Sequence, residues 1–230
     1  MRYEYKFKVD ALKATLVREL LSFLGTPDHF NQGDSGYSVM SHYYDTFDFN
    51  YYFQKVNGFR RQQKIRLRKY NLHKSWQESN CVLEAKFKVA QSSFKNRLFL
   101  PQGDFFWPQL WREKLMLDIK SEMFISESSK HALIPVCQVS YQRLAYLIGC
   151  NGHNIRINLD YNINCQRDGF SKVTPLLDNG EVIMEIKCPT QQIPIELQNI
   201  FKHVNLKRIT YSKYSESIDK LYKDKNERII

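Results

Sequence analysis

Cysteine is sparse in this chain and never paired in a motif. Cys81, Cys137, Cys150, Cys165 and Cys188 are odd in number and scattered, with no CxxC. A zinc knuckle is thereby excluded and no disulfide framework is indicated. A reducing, cytoplasmic location is expected. Long apolar runs are also missing: nothing approaches the roughly 18 residues of a membrane span, and Leu144 to Ile148 is far too short. The opening residues, Met1 to Lys8, lack the apolar stretch of a signal peptide. His29, His42, His73, His131, His153 and His203 show no metal-ligand spacing. No internal repeat, low-complexity tract or linker divides the chain, so one domain over 1–230 is expected.

What is present is apolar bulk and positive charge. Of 230 residues, 43% are apolar, and 15 Phe with 14 Tyr can fill a substantial core. This suits one large all-β or α+β domain. The formal net charge of +10 calls for an anionic partner. Nucleic acid, an anionic membrane and a phosphate-rich small molecule all satisfy that charge.

The strongest pattern is a period of two in charge. In Lys64 to Lys69, the cations Lys64, Arg66 and Arg68 alternate with Ile65 and Leu67. Glu84, Lys86 and Lys88 oppose Leu83, Ala85, Phe87 and Val89, while Glu185 and Lys187 oppose Met184 and Ile186. Successive strand side chains point to opposite faces, so each segment predicts a strand with one charged face. Further strands are predicted over 2–9, 37–44, 94–100, 134–147 and 154–165. The charged faces are biased towards Arg66, Arg68, Lys86, Lys88, Lys95, Arg97, Arg143, Arg156 and Lys187, with Glu4, Glu84, Asp160 and Glu185 as the few opposing carboxylates. Like charges on neighbouring strands repel, and an anionic ligand removes that cost. Arginine donates two parallel hydrogen bonds to phosphate oxygens, and Glu185 can hold a hard divalent cation.

Helices are predicted after Asp10, with Leu12, Leu16, Leu20, Leu24, Val17, Leu21 and Phe23 as the apolar stripe, then over 194–206 and 211–222, and 47–55 reads as a short helix or an irregular segment. Residues 104–130 read as a helical insertion carrying Trp107 and Trp111. About eight antiparallel strands is the number at which a barrel can close around an interior.

In series, eight segments resemble the VTC domain, the polyphosphate-polymerase branch of the triphosphate tunnel (CYTH-like) superfamily. They are Arg2 to Lys6, Tyr43 to Thr46, Lys64 to Tyr70, Leu83 to Lys88, Tyr141 to Tyr146, Arg156 to Asp160, Met184 to Lys187 and Ser212 to Tyr214. The resemblance implies an α+β fold: a closed antiparallel barrel of about eight strands, with flanking helices, whose tunnel binds triphosphate or polyphosphate. It implies catalytic roles for Arg66, Arg68, Lys86, Arg143, Arg156 and Lys213. Substrate contacts are expected from Lys6, Lys64, Lys88, Arg97 and Lys187. Glu185, Glu4 and Glu84 are the expected ligands of Mn²⁺ or Mg²⁺. ATP would be the phosphoryl donor and a phosphate chain the acceptor. One departure bears on the reaction. Tunnel triphosphatases open with E-x-E-x-K, whereas Arg2 stands first here, leaving Glu4 and Lys6. Losing a carboxylate weakens a hydrolytic metal site and favours transfer to phosphate over transfer to water. A triphosphatase and a non-catalytic polyphosphate-binding subunit remain open. A nucleic-acid-binding barrel is disfavoured, because no RNP-like aromatic run is present. The phosphate-sensing domain and membrane segment attached in fungal complexes are not found in the sequence, which leaves room for a membrane-protein partner.

Overall fold

The computed structural model of the chain describes residues 3–31, 33–70, 81–89, 92–100, 106–108, 111, 115 and 121–223. Every segment whose alternation predicts a strand is one. In chain order the strands are β1 (Tyr3–Val9), β2 (Thr26–Pro27), β3 (Tyr37–Asp45), β4 (Arg61–Tyr70), β5 (Cys81–Val89), β6 (Ser92–Leu100), β7 (Ile134–Cys150), β8 (His153–Arg167), β9 (Val173–Pro175), β10 (Val182–Cys188) and β11 (Lys207–Ile209). The sequence did not reveal β2, β9 and β11, because two or three residues are too few for a period to register. The helices are α1 (Ala11–Leu24), α2 (Asn50–Val56), α3 (Ser121–His131), α4 (Ile195–Lys202) and α5 (Lys213–Ile218), the last running into a π-type turn over Asp219–Lys223. The class is α+β with extensive antiparallel pairing, as expected.

Two compact units share the chain. Unit one takes Met1–Ser38, Tyr141–Asn164 and Leu177–Tyr211; unit two takes Val39–Ser140, Cys165–Leu176 and Ser212–Ile230.

In unit one the strand order is β11-β1-β10-β8-β7. Tyr5, Phe7, Ile157, Leu159, Met184 and Ile186 bury one sheet face against Val17 and Leu21 of α1 and Leu197 and Phe201 of α4. Each such side chain contributes roughly 1.5–3 kcal/mol on burial. Asp10 caps α1 as predicted, accepting from the Lys13 backbone N–H at 2.9 Å. The helix face is a correction. Ala14, Val17 and Leu21 are buried, whereas Leu12 and Phe23 are 87% and 88% exposed. Two apolar stripes coexist on this helix, and the one containing the small Ala14 faces the sheet. Gly36 precedes β3 at φ +70°, and a Cβ there would lie 2.1 Å from the Arg143 carbonyl oxygen. Only glycine tolerates both conditions.

In unit two, β3, β4, β5 and β6 pair in chain order, all antiparallel. Ile65, Leu67, Leu83, Ala85 and Leu98 form a second core with Trp111 and Phe124. Trp111 sets its edge against Tyr44 with ring centroids 5.1 Å apart. Trp107 is half exposed. The later part of the predicted 104–130 insertion is helical, as α3, while residues 104–105, 109–110, 112–114 and 116–120 lie outside the described residues, as does the predicted strand end Arg2. Asp45, fully buried, ends β3 and organises the entry into α2. Its carboxylate accepts from the backbone N–H groups of Thr46, Tyr51 and Tyr52 at 2.7, 2.9 and 3.0 Å, and from the Tyr214 hydroxyl. Asp45 thus serves the first turn of that helix, where backbone donors lack helical partners.

Candidate functional site

Register builds the site in unit two. Directly opposed residues on adjacent strands share a face. Across β4, β5 and β6, Lys64, Lys86 and Lys95 stand in one row, and Arg66, Glu84 and Arg97 in the next. Tyr43 and Ser41 of β3 sit opposite Arg66 and Arg68. The apolar alternates Ile65, Leu67, Leu83 and Ala85 anchor the other face. The predicted segregation of charge therefore holds on these strands.

Glu84 is the hub of that face and is 2% exposed. Its Oε2 accepts from Arg66 Nε at 2.7 Å and lies 2.6 Å from Arg66 Nη2 and 3.4 Å from Arg68 Nη1. Its Oε1 accepts from Arg97 Nε at 2.8 Å and is 2.7 Å from Lys95 Nζ. Burial opposes ionisation of this carboxyl, but the Arg66, Arg68 and Lys95 charges outweigh it and hold its pKa far below the usual range. The sequence grouped Glu84 with metal ligands; four cationic neighbours make its surroundings those of a counter-ion. Arg66 also donates to the Tyr43 hydroxyl at 3.1 Å, and Arg68 to Ser41 Oγ at 3.3 Å. Such secondary partners fix each guanidinium plane in advance.

The Ser212-Lys-Tyr segment joins this face. Lys64 Nζ donates to Ser212 Oγ at 2.5 Å, and the Tyr43 and Tyr214 rings stack at 5.1 Å. Ser212 caps α5 through the Ser215 N–H, so Lys213 opens that helix, half-buried. Lys86 and Lys88 are exposed, Lys88 at the end of β5.

Unit one carries a second charged face, on the side of its sheet away from the core. Arg143 forks onto Asp160, donating through Nε at 2.6 Å and Nη2 at 2.8 Å. Arg156 donates to Asp28, to Asn158 Oδ1 at 3.0 Å and to the Tyr37 hydroxyl at 3.2 Å. Lys6 Nζ donates to the Tyr211 carbonyl at 2.7 Å. Glu185 lies opposite Lys6 and accepts from Asn158 Nδ2 at 3.2 Å. Lys187 Nζ stands 3.2 Å from Glu185 and 4.0 Å from Glu4. A cationic position thus already exists between two carboxylates. A pair of hard oxygen donors fits Mg²⁺ or Mn²⁺, which complete their shells with phosphate and water. Among the described residues, no group of three or more His, Cys, Asp or Glu side chains is arranged to hold a metal.

Sequence reasoning missed Asp28 and Tyr37 as partners of Arg156, at separations of 128 and 119 residues that no local pattern spans. Lys95 was read as part of a charged face but left out of the site. Its place opposite Lys86 was the available signal. A cavity of about 520 Å³ in unit one, lined by Tyr5, Phe7, Leu197, Phe201 and Arg208, lies on the apolar side of β1. It is therefore across the sheet from Glu4 and Lys6.

The VTC domain family model matches residues 1–222. The chain belongs to the VTC domain family. No curated protein matches it. Among solved structures, a candidate adenylate cyclase of Bacillus halodurans is similar at a TM-score of 0.55 and 14% identity, over 96% of this chain and 97% of that one. A Pyrococcus horikoshii protein is similar at 0.51 and 12%, over 95% and 99%. At these identities the likeness concerns fold alone. Among the described residues no helix is long and apolar enough to cross a membrane.

Proposed function

We propose that the chain is a polyphosphate polymerase-type phosphotransferase that binds ATP, triphosphate or polyphosphate on its cationic sheet faces. The observation that carries this reading is the assembled face of unit two. There Arg66, Arg68, Lys95 and Arg97 are pinned around one carboxylate, with Lys64 and Lys86 in the adjoining row. Phosphoryl transfer needs alignment and charge neutralisation more than covalent help, and fixed donors supply both. A closed barrel of the triphosphate-tunnel type belongs to the same proposal, and membership of the VTC domain family supports it.

Arg66, Arg68, Lys86, Arg143 and Arg156 would contact the transferring and adjacent phosphates. Lys6, Lys64, Lys88, Arg97 and Lys187 would contribute surrounding charge, and Lys213 would reach over the chain of phosphates. Glu185 and Glu4 would hold Mn²⁺ or Mg²⁺, which neutralises charge on phosphate oxygens when bound. A phosphate acceptor is already anionic, so no general base is required. Incubation with ATP and Mn²⁺, read on gels for long-chain phosphate, tests the proposal. Long chains support it. Release of inorganic phosphate alone would identify a triphosphatase, and absence of ATP turnover with retained tripolyphosphate binding would identify a non-catalytic subunit. RNA raising the melting temperature more than tripolyphosphate does would overturn the phosphate reading altogether.

A further inference from the structure

The cavity beside β1 in unit one contains none of the residues assigned to phosphate or metal. It measures about 520 Å³, within the range of roughly 300–1,000 Å³ in which proteins hold small molecules. Its origin is local. Helix α4 has eight residues and presses Leu197 and Phe201 onto the sheet, while β11 continues the sheet for only three residues. Phe7 and Ile186 floor the space left over, and Gln198 and Asn205 stand exposed at its rim.

The charge of the lining has one sign. Arg208 and Lys202 are cationic, and the described lining residues include no Asp or Glu. Arg208 sits opposite Phe7 in the β1–β11 register, so its side chain shares the cavity face. Its guanidinium stands 4.7 Å from the centre of the Tyr5 ring. The Tyr5 hydroxyl donates to the Gln191 carbonyl and so holds that ring in place. An arginine stacked on an aromatic face keeps the N–H fork in its own plane open to a carboxylate. In the same unit Arg143 and Arg156 are already engaged by Asp160 and Asp28.

We propose that the cavity binds an amphiphilic carboxylate of the fatty-acid class. The acyl chain lies against Phe7, Leu197 and Phe201, and the carboxylate docks on the Arg208 fork, with Lys202 adding positive charge at the rim. A polyphosphate has no apolar body to set against this floor, whereas an acyl chain gains with each methylene it buries. The site is independent of the phosphate reading: Glu4 and Lys6 alternate with Tyr5 and Phe7 along β1 and take its other face.

Titration calorimetry of the full chain with octanoate tests this, with octanol as the uncharged counterpart. The wild type should bind octanoate more tightly than octanol. Arg208→Gln should weaken octanoate by at least about tenfold, the factor expected for losing a hydrogen-bond partner of a charged group, and should leave octanol unchanged. Gln198→Trp fills the cavity from the rim and should weaken both compounds. Both positions are exposed, so both variants should melt like the wild type. A wild type that does not bind octanoate, or equal octanoate affinity in wild type and Arg208→Gln, overturns the proposal. Binding that Gln198→Trp leaves unchanged overturns it as well, by placing the ligand elsewhere on the chain.

Discussion

Replacing Glu84 by glutamine removes one negative charge and preserves the shape of the side chain. Arg66, Arg68, Lys95 and Arg97 are then left facing each other around a neutral amide. Removing one partner of a buried charge network costs about 3–5 kcal/mol. The side chains of Lys95 and Arg97 are 33% and 50% exposed, so each of their shares approaches the surface-pair value of at most about 1 kcal/mol. The lower end, about 3 kcal/mol, is therefore expected. For a chain of this length 1 kcal/mol moves Tm by about 2–4 °C, which makes the expected fall about 6–12 °C. Thermal denaturation followed by circular dichroism measures it. Raising salt from 0.1 to 1 M shortens the screening length from about 10 to 3 Å and should shrink the gap. Tripolyphosphate should raise the Tm of the variant more than that of the wild type, by restoring the lost negative charge. The pH dependence has a definite sign. The Glu84 pKa is lowered on folding, so its contribution is complete above the ordinary carboxylate pKa of about 4.3. It is lost as pH falls below that value, and the gap between wild type and variant should narrow from pH 5 downwards. A variant melting within about 2 °C of wild type at low salt, under 1 kcal/mol on the same scale, would refute the counter-ion argument.

Three further perturbations test other parts of the structure. Tyr214→Phe removes one hydrogen bond to the buried Asp45 carboxylate and should cost about 1–3 kcal/mol, read from urea denaturation. Gly36→Ala places a Cβ against the Arg143 carbonyl at positive φ and should destabilise by at least about 2 kcal/mol, read as a lower Tm. On α1, Leu21→Ala should cost about 2–5 kcal/mol, whereas Phe23→Ser should change stability by less than about 0.5 kcal/mol; equal losses at the two positions would contradict the observed helix face.

The charged strands were legible because their periodicity is local. Lys64 to Lys69 and Glu84 to Lys88 alternate so regularly that both the strand and its two faces follow from neighbouring residues. The family followed from eight such segments in order, and the match over 1–222 bears it out. Helix α1 was legible in position and cap but not in orientation. Leu12, Leu16 and Phe23 outweigh Ala14 in hydrophobicity, yet the sheet leaves room for a small residue and takes the Ala14 face. Within the site, the arginines could be read one at a time, but their partners could not. Asp28 reaches Arg156 across 128 positions, and Asp45 reaches Tyr214 across 169. Contacts of that range depend on tertiary pairing and leave no trace in a window of ten residues. The fourfold crowding at Glu84 likewise becomes visible only once β4, β5 and β6 are in register.

The bond between Asp45 and Tyr214 also governs how Lys213 can act. Tyr214 is locked by its hydroxyl and by its stacked ring, and Ser212 is held by Lys64 and by its own helix cap. The backbone on either side of Lys213 is thus bolted down, and swinging it away would strand a carboxylate inside the protein. Lys213 is therefore a finger on a fixed knuckle. In the proposed role it would reach by turning its own four-carbon arm, on the nanosecond scale of side-chain rotation rather than the slower scale of a moving flap.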